Sequence, residues 1–531
     1  MTEKFKIYQI GMMIWLFFSA GQAIDAEVNN PGGTDKSYMA YVRECIDLLM
    51  IHGTDTYGPE HTPILVSILD VESRISPADP LGLEEAWRVT RRERRNPAGA
   101  NLLTDNTLLK TMILLSRVTG EDSYRDFADN YMDYYLHNLV DNVGLFWWGW
   151  HRHYDVFRDS MDGHEGNHHE IHAINCINWE HLWQINKEAV KKEIEALWEW
   201  QVIDKKTGEI NRHADGKRGC DFSMSSGAII EAFSFLYTKT KQTIWLDRAK
   251  LLAGYYWERR NAETDLFPER PNAGMDRFDG SSFVTSISGL YCHSLLKAYV
   301  MTGETVFKDQ AEKILKAYAR YGFDEKTDKF WGALQLDGTP LPGPRLQDDY
   351  AQYEPRGHLD LWEPYVAGYQ YAIYTAQAYA YAYQLCQEPL FLKTAERFAD
   401  WIIQTPPGSQ ETEQTWYREY SERFGRSGTY AGKYGRTISF YLHMFIITRE
   451  DKYLKEAKSM ADMAISKLYH KGLFRGHPAK PYYEAMDGVG YLMYSLLELD
   501  LVLTNPEKVL SDQAILFGKG KHKTVMALDN W

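Results

Sequence analysis

One short motif constrains the fold of this 531-residue chain more than any other feature: an aromatic residue followed, four positions later, by alanine. On a helix these positions lie one turn apart on the same face, and the small alanine lets a neighbouring helix approach closely. Successive copies are about 60 residues apart or somewhat more, with one gap of about twice that length. The copies are Tyr124 with Ala128, Trp245 with Ala249, Phe307 with Ala311, Phe391 with Ala395, and Tyr453 with Ala457. The chain is therefore predicted to consist of repeated helical units.

The repeated unit fits a pair of helices. Apolar residues recur at helical spacing over residues 38–503, and the double gap predicts an unmarked helix pair around residues 186–200. An open solenoid and a closed (α/α) toroid both satisfy this pattern. The long, aromatic-rich connections at 145–170 and 340–364 favour the toroid, because solenoid connections are short and regular. We predict an all-α fold, an (α/α) toroid or barrel of about seven helical hairpins, in a single catalytic domain over residues 36–505.

The two ends of the chain differ from this pattern. Lys4 and Lys6 precede a largely apolar run at 10–20 and small residues near position 23, which is typical of a cleaved export signal. The run is too short to cross a bilayer. Residues 1–23 are therefore predicted to be a signal peptide, and the mature protein to be periplasmic or secreted. Residues 506–531 form a C-terminal tail to which the pattern assigns no role.

The charge balance narrows the choice of partners. The formal net charge is −14, whereas a protein that binds nucleic acid along its backbone needs a basic surface. We expect no nucleic-acid partner and no membrane insertion; the oligomeric state stays open. A local basic run at Arg88, Arg91, Arg92, Arg94 and Arg95 is either a solvated helix face or a patch for an anionic ligand.

Histidine and glutamate are concentrated between positions 151 and 172. Imidazole and carboxylate groups are the usual ligands of a divalent transition metal when they converge from different elements. The spacing is not the H-E-x-x-H of a zinc protease helix, so that class is disfavoured. A polar surface loop without metal is the alternative interpretation. The residues are His151, His153, His164, Glu165, His168, His169, Glu170 and His172.

Two further sets of residues could carry chemistry. The first is Asn211-Arg212-His213, which follows a turn and is otherwise interpreted as a surface pair. The second is a group of loop carboxylates, because hydrolysis of glycosides needs two of them at a set separation. Nucleophile and nucleotide-binding glycine motifs are absent from the sequence. The candidate carboxylates are Asp55, Asp155, Asp348, Asp349, Glu354, Asp360 and Glu363.

Four short sequence motifs occur in order along the chain. They read DTYGPEHTP at 55–63 with LDVESR at 69–74, GLFWWGWHR at 144–152, HE at 169–170, and NRH at 211–213. In order and approximate spacing they resemble the periplasmic pectate lyases of polysaccharide lyase family 2. The C-terminal half agrees with that family in its helical repeats alone. The resemblance implies a seven-hairpin (α/α) barrel that cleaves polygalacturonate or its oligomers by β-elimination.

The resemblance also implies roles for individual residues. His151, Glu170 and His213 would bind a divalent metal such as Mn, Co, Ni or Ca, and Arg212 would be the Brønsted base. The substrate, an acidic polysaccharide or oligosaccharide, is expected to contact neighbouring side chains of the same blocks. Here His172 stands where the family has lysine and Trp150 where it has a small residue; these differences crowd or recharge the site, so the resemblance does not specify the uronate or the linkage. The predicted substrate-binding residues are Arg152, His153, His172, Tyr57 and Trp150.

The implied reaction removes the proton α to a uronate carboxylate, so the developing charge must be stabilised. A metal held by two His and one Glu leaves open positions for that carboxylate. A guanidinium is normally always protonated, so Arg212 needs a special environment to act as base. If Arg212 only clamps the carboxylate, then His153, His172 or Lys217 is the base. Two alternatives to a lyase remain: an (α/α)-barrel glycoside hydrolase such as a glucuronidase, and a glycan-binding toroid without activity.

Overall fold

The computed structural model describes residues 36–77, 99–149, 152–163, 169–213, 216–272, 282–343, 355–362, 370–409 and 427–504. The predicted signal peptide, the C-terminal tail and the basic run from Arg88 to Arg95 lie outside these ranges. The part of the chain from Tyr38 onward forms one compact unit.

Helices dominate the described residues, as predicted. Most are joined in consecutive pairs by turns of two residues, which makes the two helices of each pair antiparallel neighbours. The helices are α1 (Tyr38–His52), α2 (Leu102–Thr119), α3 (Asp122–Asn138), α4 (Trp179–Ile185), α5 (Lys187–Ala196), α6 (Ser223–Thr240), α7 (Thr243–Trp257), α8 (Cys292–Thr302), α9 (Thr305–Tyr321), α10 (Ala372–Cys386), α11 (Pro389–Gln404), α12 (Ala431–Thr448), α13 (Asp451–Leu468) and α14 (Val489–Thr504).

The helix pairs close into a ring. From α6 onward the first helix of each pair packs against the first helix of the next: α6 contacts α8, α8 contacts α10, α10 contacts α12, and α12 contacts α14. The pair α4–α5 connects α3 to α6, and the circle closes because α14 packs against both α2 and α1. Among the described helices, the last therefore pairs with the first and makes the seventh hairpin. The prediction of an all-α fold built as an (α/α) barrel is confirmed.

Inner and outer helices differ in sequence for a physical reason. The inner helix α10 is surrounded by other helices, and its residues 372–382 are all buried. The outer helices carry the aromatic-alanine motif on one face only, and Phe391 and Ala395 of α11 are buried against their neighbours. A helix that is apolar all round belongs inside, and one with a single apolar stripe belongs outside.

Short strands lie in the connections between the helices. They form small antiparallel ladders, and the ladder of β1 with β13 joins the two ends of the described chain through the pair Ile68 and Glu484. The three-stranded ladder β2-β3-β4 lies beside the His-rich segment. The strands are β1 (Ile68–Asp70), β2 (Gly99–Ala100), β3 (Arg152–Asp155), β4 (Ser160–Gly163), β5 (Val202–Asp204), β6 (Glu209–Ile210), β7 (Phe283–Val284), β8 (Phe323–Asp324), β9 (Lys329–Phe330), β10 (Ala333–Leu334), β11 (Tyr469–His470), β12 (Leu473–Phe474) and β13 (Tyr482–Glu484).

Glycines set the distance between inner helices where the ring closes. A Cβ at Gly490 of α14 would lie 2.6 Å from the backbone nitrogen of Leu108 on α2. We expect Gly490→Ala to lower the free energy of unfolding by about 1–3 kcal/mol, because backbone atoms cannot yield to the added methyl group. Gly254→Ala on the outer helix α7 is the matched control, since a Cβ there meets nothing within 4 Å. Urea unfolding should show the control unchanged or stabilised by about 1 kcal/mol; equal losses would contradict the close approach.

A buried carboxyl group predicts a pH dependence of stability. Asp105 of α2 is fully buried and accepts a hydrogen bond from the Tyr131 hydroxyl at 2.7 Å. Burial raises its pKa to about 7. As the pH rises from about 4 to about 7, the unfolded state loses this proton and the folded state keeps it, so stability falls by up to about 4 kcal/mol.

The test is Asp105→Asn, which stays neutral and still offers an oxygen to Tyr131. Its unfolding free energy relative to the parent should increase between about pH 4 and about pH 7 and stay constant above that. Asp126→Asn, at an exposed position of α3, is the control and should give no such trend. A constant difference between Asp105→Asn and the parent across this range would show that Asp105 is not the titrating group.

Candidate active site

The segment that carries Glu170 is extended, so its side chains alternate between two sides. His169 and Ile171 are fully buried in the core. Glu170 and His172 point the other way and contact each other, with His172 Nε2 2.7 Å from Glu170 Oε1. Two of the four side chains in this run are therefore used for packing and two are available for chemistry.

The buried side chain of His169 holds this segment against the core. Its Nε2 lies 2.8 Å from Glu193 Oε1, and the indole nitrogen of Trp148 lies 2.6 Å from the same His169 atom. Glu193 also accepts a hydrogen bond from the backbone nitrogen of Phe146 at 2.6 Å. This buried network fixes the backbone next to Glu170, and it assigns His169 to the scaffold.

A second segment brings Arg212 and His213 to the same place. It follows the β5–β6 hairpin, and Asn211 shapes the turn: its side-chain oxygen accepts from the His213 backbone nitrogen at 2.7 Å, and its side-chain nitrogen donates to the Lys217 carbonyl at 2.6 Å. The Arg212 backbone nitrogen donates to the Cys220 carbonyl at 3.2 Å. The turn thus presents two consecutive side chains in one direction.

Glu170 is the centre of the resulting cluster. Its Oε1 lies 3.2 Å from Arg212 Nε, and its Oε2 lies 3.3 Å from His213 Nε2. Arg212 Nε is 3.3 Å from His213 Nε2. All four residues, including His172, are buried. Three residues predicted from two separate motifs, Glu170 from one and Arg212 and His213 from the other, are therefore in direct contact, and His172 joins them.

Gln201 connects the two segments and was missed by sequence reasoning. It lies at the end of the π-helical turn Leu197–Gln201 and is almost fully buried. Its side-chain nitrogen donates to the His169 carbonyl at 2.8 Å and to the Arg212 carbonyl at 2.9 Å. One carboxamide thus sets the distance between the backbone that carries Glu170 and the backbone that carries His213. No motif marks this residue, because its partners are backbone carbonyls.

Two more residues beside Arg212 also escaped prediction. The Arg212 guanidinium lies over the ring of Phe222 at 3.7 Å, and the Arg270 guanidinium lies 5.0 Å from the same ring. Phe222 ends the loop before α6, and Arg270 is buried next to Glu269. Burial raises the pKa of Glu269 to about 7, so this carboxyl is about half ionised near neutral pH. Two guanidinium groups therefore lie close to the Phe222 ring on this side of the site.

The other predicted substrate-binding residues are held by local partners. Arg152 of β3 is buried, with Nη1 2.8 Å from Asp141 Oδ2 and its guanidinium over Trp147. His153 is partly exposed and lies 3.8 Å from Asp162 Oδ2. The Tyr57 ring packs on Phe157, and its hydroxyl accepts from the Ser76 backbone nitrogen at 2.8 Å. Trp150 lies outside the described residues, and substrate contacts by these four remain predictions.

The metal prediction depends on three residues, of which the structure describes two. Glu170 and His213 are adjacent, whereas His151 lies outside the described residues, as do His164, Glu165 and His168. Within the described ranges no group of three or more His, Cys, Asp and Glu side chains is arranged to hold a metal ion. The donor chemistry nevertheless fits a divalent transition metal, because imidazole nitrogens and a carboxylate oxygen meet at one point.

The loop carboxylates do not form an evident pair in the described part of the chain. Asp155 is paired with Arg158, and Asp55 accepts hydrogen bonds from Thr62. The backbone nitrogen of Asp360 donates to the Gln370 side chain at 2.6 Å. Asp348, Asp349, Glu354 and Glu363 lie outside the described residues.

Fold and site together define a helical toroid with a buried His-Glu-Arg-His cluster. Residues 83–227 match a family model described as periplasmic pectate lyase, and this stretch contains Glu170, Arg212 and His213. The resemblance inferred from the motifs is confirmed over this stretch, whereas the block at 55–63 precedes it. In the described residues no helix is both long and apolar enough to span a membrane.

A curated relative agrees with the family match. The chain is 26% identical over 187 residues to a pectate disaccharide-lyase of Dickeya dadantii, an alignment that covers 35% of this chain and 32% of the relative. The match thus spans about a third of the relative's length.

The solved structures that are similar to this chain share little sequence identity with it. A D-mannose isomerase is 12% identical, with 75% of this chain and 98% of the other covered and a TM-score of 0.46. A family 76 glycoside hydrolase from a bovine Bacteroides thetaiotaomicron strain is 12% identical, with 87% and 78% covered and a TM-score of 0.45. A cellobiose 2-epimerase from Bacillus thermoamylovorans is 10% identical, with 87% and 99% covered and a TM-score of 0.44.

Proposed function

We propose that the protein is a metal-dependent polysaccharide lyase that cleaves a uronate-containing glycan, such as pectate or oligogalacturonate, by β-elimination. We further propose that it is exported and acts in the periplasm or outside the cell. The observation that carries the proposal is the contact of Glu170 with Arg212, His213 and His172 inside the stretch that matches the lyase family. A divalent metal would be held by His151, Glu170 and His213, and when bound it would supply Lewis acidity to the uronate carboxylate.

The reaction has three tasks: a base takes the proton at C5, α to the carboxylate; cationic groups hold the carboxylate; and an acidic group or water gives a proton to the leaving oxygen. The electron pair of the C5–H bond forms the C4–C5 double bond as the C4–O bond breaks, and the C4–O pair leaves with the oxygen. The carboxylate must be held and its growing charge balanced. The Arg270 guanidinium, 5.0 Å from the Phe222 ring, serves the second task, and so does the Arg212 guanidinium if another residue is the base.

Two assignments of the base are compatible with the contacts. Arg212 is our first assignment, because it is the residue that the family resemblance implies and it lies in the cluster. His172 is the second, and a specific observation favours it: Glu170 orients its imidazole at 2.7 Å, as a carboxylate orients a histidine base in many enzymes. Lys217 is exposed and His153 is on β3, 3.8 Å from Asp162, so neither shares this contact.

The decisive experiment follows ultraviolet absorbance of a 4,5-unsaturated uronate on polygalacturonate and a panel of other uronate glycans. We expect absorbance to grow, to stop when a chelator is added, and to return when Mn, Co, Ni or Ca is restored. New reducing ends without absorbance, insensitive to chelator, would replace the lyase with a hydrolase. Binding without turnover on every glycan would leave a glycan-binding protein.

Gln201 gives a prediction about positioning. Gln201→Met removes both hydrogen bonds that join the two site segments, and we expect kcat to fall by about 10- to 100-fold, since small displacements of reacting groups are costly. Gln242→Met, at an exposed position before α7, is the control. The absorbance assay measures the rate, and urea unfolding reports whether the fold survives. Unchanged kcat would show that Gln201 has no influence on the site.

A further inference from the structure

The backbone that follows His172 is bound directly to it. Residues 173–176, here called the support turn, comprise the 3-10 turn Ala173–Asn175 and Cys176. The Asn175 side-chain oxygen accepts from the His172 backbone nitrogen at 2.9 Å, and the Asn175 backbone nitrogen donates to the His172 carbonyl at 2.9 Å. A movement of the support turn therefore moves the backbone of His172, and with it the imidazole that contacts Glu170.

The support turn needs contacts from outside to keep its conformation. Cys176 has a φ of +50°, in the left-handed region where a residue with a side chain is strained. Such a conformation persists only where the surrounding structure fixes it. The Cys176 backbone nitrogen lies 3.4 Å from the Ala173 carbonyl oxygen, a long hydrogen bond that holds the turn weakly. The position of the turn therefore depends on groups of other elements that bind its carbonyls.

The first of these groups is the side chain of Asn106 on α2. It is buried, and its nitrogen donates to the carbonyls of Cys176 at 2.5 Å and of Asn175 at 3.3 Å. Its oxygen accepts from the backbone nitrogen of Asn178 at 3.2 Å. One carboxamide thus binds three backbone groups of the segment after His172 to α2.

The second group is the hydroxyl of Tyr491 on α14. It donates to the Ile174 carbonyl, in the middle of the support turn, at 2.7 Å. The buried guanidinium of Arg436 on α12 lies over the Tyr491 ring at 3.9 Å, which holds the ring in its orientation. A guanidinium nitrogen of Arg436 also lies 3.5 Å from the Ile174 carbonyl oxygen. The C-terminal part of the helical ring therefore binds the same turn as α2.

From these contacts we propose that α2 and α14, the helices that close the ring, also position the candidate active site, with Asn106 and Tyr491 as positioning residues. Both lie where the two helices approach most closely: a Cβ at Gly490, next to Tyr491, would lie 2.6 Å from the α2 backbone. The inference rests on the proposed function, because it concerns the placement of His172 for that reaction. Tyr491 lies outside residues 83–227, so the family match assigns no role to it.

The first test compares Tyr491→Phe with the matched control Tyr379→Phe. In both cases the lost hydroxyl donates to a backbone carbonyl at 2.7 Å, that of Ile174 for Tyr491 and that of Leu315 for Tyr379 on α10. Thermal unfolding should show similar shifts, since the same kind of hydrogen bond is lost. We expect Tyr491→Phe to lower kcat on polygalacturonate by about three- to tenfold with KM unchanged, because small displacements of reacting groups reduce the rate. Tyr379→Phe should keep its kcat within about twofold.

The second test observes the support turn without turnover. Hydrogen exchange is followed by mass spectrometry in the peptide that covers residues 170–178, which contains the His172 amide. We expect exchange to be about two- to tenfold faster in Tyr491→Phe than in the parent and unchanged in Tyr379→Phe. Asn106→Leu removes three hydrogen bonds and should exchange faster still.

The outcomes separate this inference from the proposed function. Exchange and kcat in Tyr491→Phe that equal those in Tyr379→Phe would overturn the positioning role. Faster exchange in Tyr491→Phe, with a parent protein that forms no unsaturated product on any uronate glycan, would support the attachment of the turn and overturn the lyase. If Asn106→Leu does not fold, Tyr491→Phe decides, because it removes a single hydroxyl.

Discussion

Replacing Arg212 by alanine is expected to lower kcat on polygalacturonate by about a thousandfold or more. The guanidinium lies against Glu170 at 3.2 Å, against His213 at 3.3 Å and over the Phe222 ring at 3.7 Å, so no other side chain can take its place without rearrangement. Loss of a base costs about 10²–10⁴ in rate, and loss of a charge-stabilising donor costs a similar amount. The absorbance assay for unsaturated product measures the effect directly.

The control for this variant is Arg259→Ala. Arg259 also stacks on an aromatic ring, that of Tyr255 at 3.8 Å, but it lies after α7 and away from Glu170. We expect this control to keep its kcat within about threefold. A similar loss in both variants would mean that removing any stacked arginine damages the protein, and the role of Arg212 would have to be abandoned.

Two further variants separate the assignments of the base. If Arg212 takes the proton, Arg212→Lys should be nearly as inactive as Arg212→Ala, because the fork and position of the guanidinium are lost. His172→Gln should then lower kcat by about tenfold or less, and the pH profile should keep its shape. The reverse pattern, with the larger loss and an altered pH profile in His172→Gln, would transfer the role of base to His172.

The second large effect is expected for Glu170→Gln, with kcat lower by about 10²–10³-fold. The substitution keeps the shape of the side chain but removes the negative charge that faces Arg212, His213 and His172. Removing this carboxylate leaves the buried Arg212 guanidinium without its negative partner, which is costly in a desolvated cluster. It also removes the carboxylate from the proposed metal ligands, so affinity for the metal should fall.

The matched control is Glu231→Gln on α6. Glu231 is buried as well, and it accepts a hydrogen bond from Ser294 at 2.6 Å, but it lies in another part of the ring. Metal affinity is measured by competition with a fluorescent chelator, which does not require turnover. Glu170→Gln should bind Mn or Co at least about tenfold more weakly, and Glu231→Gln should bind as the parent does. Unchanged metal affinity in Glu170→Gln would exclude Glu170 as a ligand.

Much of the fold can be predicted from sequence patterns that span only a few residues. The aromatic-alanine motif marks outer helices because only a helix with one buried face needs an aromatic and a small residue one turn apart, and Tyr453 and Ala457 of α13 illustrate this. The helix pair predicted around residues 186–200 corresponds to α4 and α5, which meet at Asn186. Turn-forming and helix-capping residues act on their own neighbours, so their effects can be predicted without the tertiary structure.

The candidate site was predictable in part for the same reason. Glu170, Arg212 and His213 were predicted because they lie in two of four short motifs that occur in a known order, and the structure brings these residues together. His169 shows the limit of a motif: it is next to Glu170 in sequence, yet extended backbone turns it into the core toward Glu193. Local composition does not reveal which side of such a segment faces the site.

By itself, then, the sequence predicted the helical repeat and the residues that meet at Glu170, because these depend on spacing and residue type over short distances. Only the tertiary structure decided that α14 closes the ring against α1 and α2, and that Gln201 joins the two segments of the site. These contacts join residues far apart in the chain, and their energy comes from close packing and burial that no local pattern records.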